Sequence, residues 1–454
     1  MVDLLNIGRS GVIAYRNALS TVGENVANAQ TEGFVRRKIV LSEAPTGISN
    51  LGERPGAFFS GVSPGIVERA WNEYRAGDVS TGLADAGRGE ARLRWLSKAE
   101  EATGNGALGV GTQMGAVFNA GDALASDPAS AVRRAAFLSA VDGTTEAMKT
   151  TARALSAVSD GIATETQANV AALNGDLKSL VAVNEQISRT SAGSSQRAQA
   201  LDDRDRLIAS ISGRIGIDTR YDAVGRATVT VADAPGRVLA SVTEAASVEA
   251  VVGATGAIAL VTRSETGQTA LPITSGTLSG LVDVSTTVAD RRSALNTLAV
   301  DFAAALNDWQ AAGVTDAGAP GDPILTGTDA LSIARAPTAT AAALAVASPP
   351  PAGATRGVAN GNALALATVR TTSGLEQRWS GGVTGLAQAV TVARAESNAA
   401  NARRDAAEAA LDSGSGVDLD YEASELLRFQ QAYSASAKII QAARDTFQTI
   451  LQLF

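Results

Sequence analysis

Two long apolar stripes at opposite ends of the chain constrain its fold more than any other feature. From Leu419 to Phe454, positions three and four apart read Leu419, Ala423, Leu426, Gln430, Tyr433, Ala437, Ile440, Arg444, Phe447, Leu451 and Phe454. Gln430 and Arg444 alone break the apolar and aromatic run. On a helix this spacing draws one line, with the repeat of a coiled-coil seam. The head of the chain does the same with Leu5, Gly8, Val12, Tyr15, Leu19, Val22 and Val26. A lone helix cannot bury such a stripe, so each end needs a partner. The economical arrangement pairs the two ends, inserts the middle of the chain between them, and leaves surplus apolar surface for assembly. Gln430 and Arg444 are then either register-fixing polar residues or edge residues facing water.

With 454 residues the chain can bury several cores, and length suggests about two to four domains. Aromatics are sparse at 4%, while small residues abound, which suits closely packed helices better than a deep ligand pocket. A formal charge of −8 argues against nucleic-acid binding, which requires a basic face. The absence of Cys removes disulfides and thiolate-held metals; the absence of His removes the commonest general base and zinc ligand. No apolar run is long enough to span a membrane. The opening MVDLLNIGRSGVIAYRN lacks a basic segment followed by a continuous apolar core, so no Sec-type signal peptide is expected there.

Proline placement maps the middle, because proline breaks helix interiors. Residues 4–29 read as the first helix, stopped near Thr31 and Gly33. Pro45, Pro55 and Pro64, with Gly47, Gly52 and Gly56, mark 34–78 as extended chain, with short strands at Ile39–Leu41 and Ile66–Val67. Helix resumes at Val79. Asp127-Pro128 reads as a helix start, and the stripe beyond it runs to about Arg189, as one helix or two broken at Gly143, Gly161 or Gly175. A shorter helix covers Ala198–Ile211. The β-branched runs and Gly turns of 214–276 predict a small antiparallel β domain. Helix returns over 277–312; 313–360, rich in Ala, Pro, Gly and Thr, reads as loop and linker. A helix over about 385–411 ends at Ser413-Gly414-Ser415-Gly416.

The fold class expected is mainly α with a small inserted β domain. Residues 1–35 with 417–454 form a terminal coiled-coil unit. Residues 36–213 with 277–416 form a helical bundle, and 214–276 the outer β part.

Few motifs carry chemistry. Gly104-Asn105-Gly106-Ala107-Leu108-Gly109 fits the dinucleotide fingerprint, but helix rather than strand precedes it, so a helix–helix turn is the better reading. Leu201-Asp202-Asp203-Arg204-Asp205-Arg206-Leu207 concentrates charge. Alternating signs on a helix favour a solvated or salt-bridged face over a metal site. Ser–Lys chemistry would call on Lys149 or Lys178, and nothing sets a serine beside them. No catalytic, cofactor or metal residue is assigned.

At both ends the residues resemble a known family. Asn25-Val26-Ala27-Asn28 followed by Thr31-Glu32-Gly33-Phe34 is similar to the A-N-x-x-T-x-G-[YF] signature of bacterial flagellar rod, hook and hook-associated proteins, with Glu32 where Pro is common. Gly416-Val417-Asp418-Leu419-Asp420, and Leu426-Leu427-Arg428-Phe429-Gln430-Gln431-Ala432-Tyr433 after it, resemble the matching carboxyl-terminal helix. Asp202, Arg204 and Asp205 in the L-D-x-R-D-x-L segment resemble the hook-associated branch at the hook–filament junction, whereas Phe34 leans toward hook proteins.

The resemblance implies a nested axial architecture with the terminal helices as the inner layer of a tube and no cofactor. It implies export without a cleaved signal, self-assembly into a ring, and partners in the hook protein and the next hook-associated or filament protein. It also implies an export chaperone on the carboxyl-terminal helix and terminal helices that order on assembly. The assembly interface expected is Leu5, Val12, Tyr15, Leu19, Val22, Val26, Leu419, Leu426, Tyr433, Ile440, Phe447 and Leu451. The alternatives are a hook or rod-type protein of the same family and, from another class, a cytoplasmic helical scaffold.

Overall fold

A computed structural model describes residues 2–31, 33–44, 61–63, 65–104, 106–264 and 267–452. Glu32, Pro45, Gly47, Gly52, Pro55, Gly56, Pro64, Asn105 and Phe454 of the sequence patterns above fall outside them, as does the side chain of Leu451.

The chain opens with helix α1 (Val2–Ala27), followed by a two-stranded antiparallel hairpin, β1 (Arg37–Val40) and β2 (Ile66–Arg69), pairing Arg37 with Arg69 and Ile39 with Val67. Helix α2 (Glu73–Ala102) begins six residues before the expected Val79, because Asn72 caps it by accepting from the Arg75 N–H. The glycine-rich turn leads into α3 (Val110–Ser126), as a helix–helix connection. Helix α4 (Ala131–Arg189) is a single helix of 59 residues, uninterrupted at its glycines. Its N-cap is Ser130 and not Asp127, whose backbone N–H closes α3 on Leu124 instead. Helix α5 (Ser195–Arg214) folds back beside it.

Strands β3 (Ile217–Tyr221), β4 (Ala227–Val231) and β5 (Ala234–Ala240) make one antiparallel meander; β6 (Ser247–Val252), β7 (Ile258–Ser264) and β8 (Gly267–Ala270) make a second. Two asparagines of α4 hold them. Asn184 exchanges both amide hydrogen bonds with Ala227, and Asn174 does so with Val248. Val229, Val231, Leu239, Val248 and Leu260 belong to the same buried cluster as the helices.

Helix α6 (Thr277–Ala312) is followed by a segment that is no linker. Its short strands β9 (Leu325–Thr326) and β10 (Ala334–Arg335) pair, and Ile324, Leu325, Ile333, Leu344 and Val346 are buried. Asn307 binds the backbone of Ile324 and Leu325. Gln310 binds that of Ala343 and Ala345, and Arg134 grips Asp316 with two bonds of 2.8 and 2.9 Å. Such side-chain-to-backbone bonding replaces the periodic pattern that a sequence reading looks for.

Helices α7 (Gly361–Ser373) and α8 (Leu375–Ser415) extend the carboxyl-terminal helical region well upstream of residue 385. Helix α8 runs antiparallel along α2, with Gly82 against Arg404 and Gly89 against Ser397. Asp418 caps the last helix, α9 (Leu419–Leu451). Among the described residues the apolar cores number two: a large one through the helical body and both sheets, and a small one of Ala18, Val22, Ile39 and Phe429.

Candidate functional site

The terminal helices lie against each other, antiparallel, in the single chain: Gly8 meets Ile440, Gly11 meets Ser436, and the Tyr15 and Phe429 rings are 6.4 Å apart. The line that the contact buries is not the large apolar stripe. On α1 it is Gly8, Gly11, Ala14, Ala18, Thr21, Val22 and Asn25; on α9 it is Glu422, Phe429, Ser436 and Ala443, each seven residues apart. A Cβ at Gly8 would stand 2.7 Å from Ile440 Cγ1, and one at Gly11 would stand 2.6 Å from Ser436 Oγ. Small residues therefore set the approach, and the helix faces turn so that backbones come close.

The stripe named from sequence sits to one side. Val22 is buried, and Val12, Tyr15, Leu19, Leu426 and Ile440 are half-buried at the edges. Leu5, Val26 and Leu419 are exposed, as are Tyr433 at 36% and Phe447 at 52%. Leu427, Ile439 and Ile450 join that exposed apolar surface. Gln430 and Arg444 both face out, so neither fixes register within the pair.

The polar residues that do occupy the seam are Asn25 and Glu422. Asn25 donates to the Arg37 carbonyl at 2.8 Å and accepts from the Arg37 N–H at 2.9 Å. Burial lifts the Glu422 carboxyl above the ordinary carboxylate range; Asn25 and Arg36 oppose the shift, while Glu425 and Asp418 add to it.

Below the pair, the 201–207 segment on α5 is the salt-bridged alternative, with Asp202 and Arg204 buried and Arg206 exposed. Asp202 accepts from Arg69 Nε at 2.8 Å and from Arg37 Nη2 at 3.2 Å; Asp205 accepts from Arg69 Nη2 at 2.7 Å. Arg37 also reaches Glu24 at 2.7 Å, back on α1. Arg204, 2% exposed at its side chain, bonds Asp205 and lies 4.4 Å from the centre of the Tyr221 ring and 5.2 Å from that of Trp71. Those two rings meet edge to face at 5.1 Å. Burial raises the Asp202 carboxyl against the pull of Arg69 and Arg37, and pushes the Tyr221 phenol well up, with Asp205 adding to it.

Of the remaining motif residues, Gly33 and Phe34 touch this cluster and the others lie elsewhere on the two terminal segments. Asn28 accepts from the Thr31 hydroxyl at 3.3 Å. Gly33, at φ 73°, lies where any Cβ would strike the Arg206 side chain, 2.5 Å from its Cγ. The Phe34 ring is 5.0 Å from the Arg37 guanidinium. On α9, Phe429 is buried, Arg428 lies over its ring at 4.7 Å, and Gln430 is exposed. Sequence reading missed Arg37, Arg69, Trp71 and Tyr221. Arg36-Arg37-Lys38 in a chain short of basic runs was the one signal that an acidic helix needed a partner. No group of three or more acidic side chains arranged to hold a metal occurs among the described residues, and no helix there is long and apolar enough to cross a membrane.

Paired terminal helices around an inserted body define an axial protein of the flagellar type, and both ends carry that mark in comparison. Residues 5–34 match the flagella basal body rod protein model, and 409–453 match the flagellar basal body rod FlgEFG protein C-terminal model. Residues 96–325, just over half of the chain, match the helical domain of flagellar hook-associated protein FlgK, and the chain belongs to that family.

Flagellar hook-associated protein 1 of Escherichia coli K12 is 25% identical over 332 residues, covering 71% of this chain and 59% of the relative. Its Salmonella typhimurium counterpart is 26% identical over 317 residues, covering 68% and 56%. The chain thus spans less than two thirds of the length of these relatives. The flagellar hook junction protein FlgK from Burkholderia pseudomallei shares the fold, at a TM-score of 0.64 and 14% identity over 74% of this chain and 99% of that one.

Proposed function

We propose that this protein is a structural, non-enzymatic part of the bacterial flagellum, an adaptor ring seated between hook and filament. The observation that carries the reading is the exposed apolar surface of the terminal pair: Leu5, Val26, Leu419, Leu427, Tyr433 and Phe447 remain uncovered after α1 and α9 have packed. At roughly 25 cal/mol per Å² of apolar area removed from water, a neighbouring copy has ample reason to cover it. In this reading residues 1–35 with 417–454 form the inner layer of the ring, 36–213 with 277–416 form the surrounding body, and 214–276 face outward. The hook protein lies on one side, and the next hook-associated or filament protein on the other. The subunit leaves the cell through the flagellar export route, with a small helical chaperone covering α9 beforehand.

The deciding experiment removes 419–454 and asks for motility and for incorporation at the hook tip. The truncated chain keeps the thermal transition of its body and fails to incorporate. Normal incorporation sinks the proposal. Polymerisation of the intact chain into long tubes, where short rings are expected, transfers it to the hook proteins.

A further inference from the structure

We propose that the Arg37–Asp202–Arg69 cluster is the joint that fixes the direction of the α1–α9 pair against the helical body. Without it, the pair turns freely about its two chain connections. This inference stands apart from the flagellar reading, since it concerns how one chain holds its own two halves.

The two halves share no apolar core among the described residues. Ala18, Val22, Ile39 and Phe429 form one cluster, and the body forms the other. The β1–β2 hairpin lies between them. Through Ile39 it packs on the terminal pair, and its Val62 N–H donates to the Ser10 hydroxyl of α1 at 3.1 Å. Through Arg37 and Arg69 it grips α5, and the Val67 N–H donates to the Gly193 carbonyl at 3.1 Å. Residues 28–36 join α1 to the hairpin, 70–72 join the hairpin to α2, and 416–418 join α8 to α9, with the Arg36 N–H donating to the Ser415 carbonyl at 2.9 Å.

An apolar contact at this place would adhere, but it would tolerate sliding. Guanidinium–carboxylate pairs have directional geometry and tolerate little displacement. The cluster is also poorly arranged for stability alone. All three side chains are nine-tenths buried, and Arg37 Nε has no hydrogen-bond partner. Removing the shared carboxylate leaves, among the described residues, Glu24 as the one carboxylate on Arg37 and Asp205 as the one on Arg69. The easiest relief is for the hairpin to leave α5 and let both guanidiniums hydrate, which releases the terminal pair while each half stays folded.

The full chain contains no cysteine, so two introduced thiols are the sole labelling sites. Ser20→Cys on α1 and Thr164→Cys on α4, both exposed, carry spin labels, and double electron–electron resonance gives the distance distribution between them. The parent chain gives one narrow distribution. Asp202→Ala at least doubles its width with helix content and the body's thermal transition preserved, and Glu24→Ala, which keeps Arg37 on Asp202 and cuts only the bond from Arg37 to α1, broadens it less. Glu185→Ala, at an exposed pair on α4, leaves it unchanged. An unchanged width in folded Asp202→Ala, or a broad distribution in the parent chain, overturns the proposal. If Asp202→Ala does not fold, Glu24→Ala decides: broadening supports the joint, and an unchanged width overturns it.

Discussion

The helical body and the terminal pair solve the same packing problem in opposite ways. The body buries large side chains: Phe137, Met148, Leu173, Leu177 and Phe302 are all fully enclosed. The terminal pair buries mostly small and polar residues, with Val22 and Phe429 as its larger apolar ones, and keeps Tyr433, Phe447 and Leu427 on the outside. Stability is thereby concentrated in one half, and unspent apolar surface in the other. A chain that must stay folded alone, and yet adhere to copies of itself, gains from this separation.

The largest effect expected from breaking that contrast comes from truncating one aromatic in each half. Phe137 is fully buried, with its ring 5.4 Å from that of Trp309, so Phe137→Ala should cost about 3–5 kcal/mol in chemical denaturation. Phe447→Ala should change stability by less than about 0.5 kcal/mol while weakening self-association, read by analytical ultracentrifugation. Equal costs in the two places would remove the distinction.

Smaller, and confined to the pair, is Gly11→Val. Its side chain meets Ser436, where a Cβ already has no room, and overpacking of this kind costs about 1–3 kcal/mol. Limited proteolysis should then cut within α1 or α9 first, with the body resistant. Uniform loss of protection would show that the two halves melt as one unit.

The smallest effect is the pH response of the seam. The Glu422 carboxyl is raised by burial, so ionising it opposes pairing. The stabilisation is present in full below the ordinary carboxylate value and is lost as pH rises through the raised one. The protection of α9 amides relative to their intrinsic exchange rate should therefore fall from acid toward neutral pH, and Glu422→Gln should flatten that dependence. A slope that survives the substitution places the titration elsewhere.

Much of the helical order was legible before any coordinates. The stripes of α1, α6 and α9 carry strong periodicity, and Gly33, Gly416 and the glycine turn before α3 mark ends that the structure keeps. What escaped has identifiable causes. The segment from Val314 to Asn360 is held by Asn307 and Gln310 at the end of the preceding helix and by Arg134 on a distant one, so its own residues show no pattern. Helix α7 follows Pro349-Pro350-Pro351 and is rich in alanine and threonine, a composition that reads equally well as loop. At the terminal pair, the stripe was drawn through the bulkiest residues, whereas the contact runs through the smallest. Asp202 and Asp205 stand out in the sequence as part of a charge concentration, yet their partners Arg37 and Arg69 lie on a hairpin more than 130 residues upstream, where sequence spacing carries no information.

Helix α4 gives the joint a mechanical reach. At about 1.5 Å per residue it is a strut of roughly 88 Å. Its carboxyl end adjoins the loop at Thr190–Gly193 against which the hairpin rests, and near its amino end Arg134 clasps Asp316. A tilt of one degree at the hairpin therefore displaces the far end by about 1.5 Å, half the length of a hydrogen bond. A load that bends or twists the chain is felt at Asp202 as a small torque and at the far end of α4 as a large excursion. One buried carboxylate sets the compliance of the whole lever.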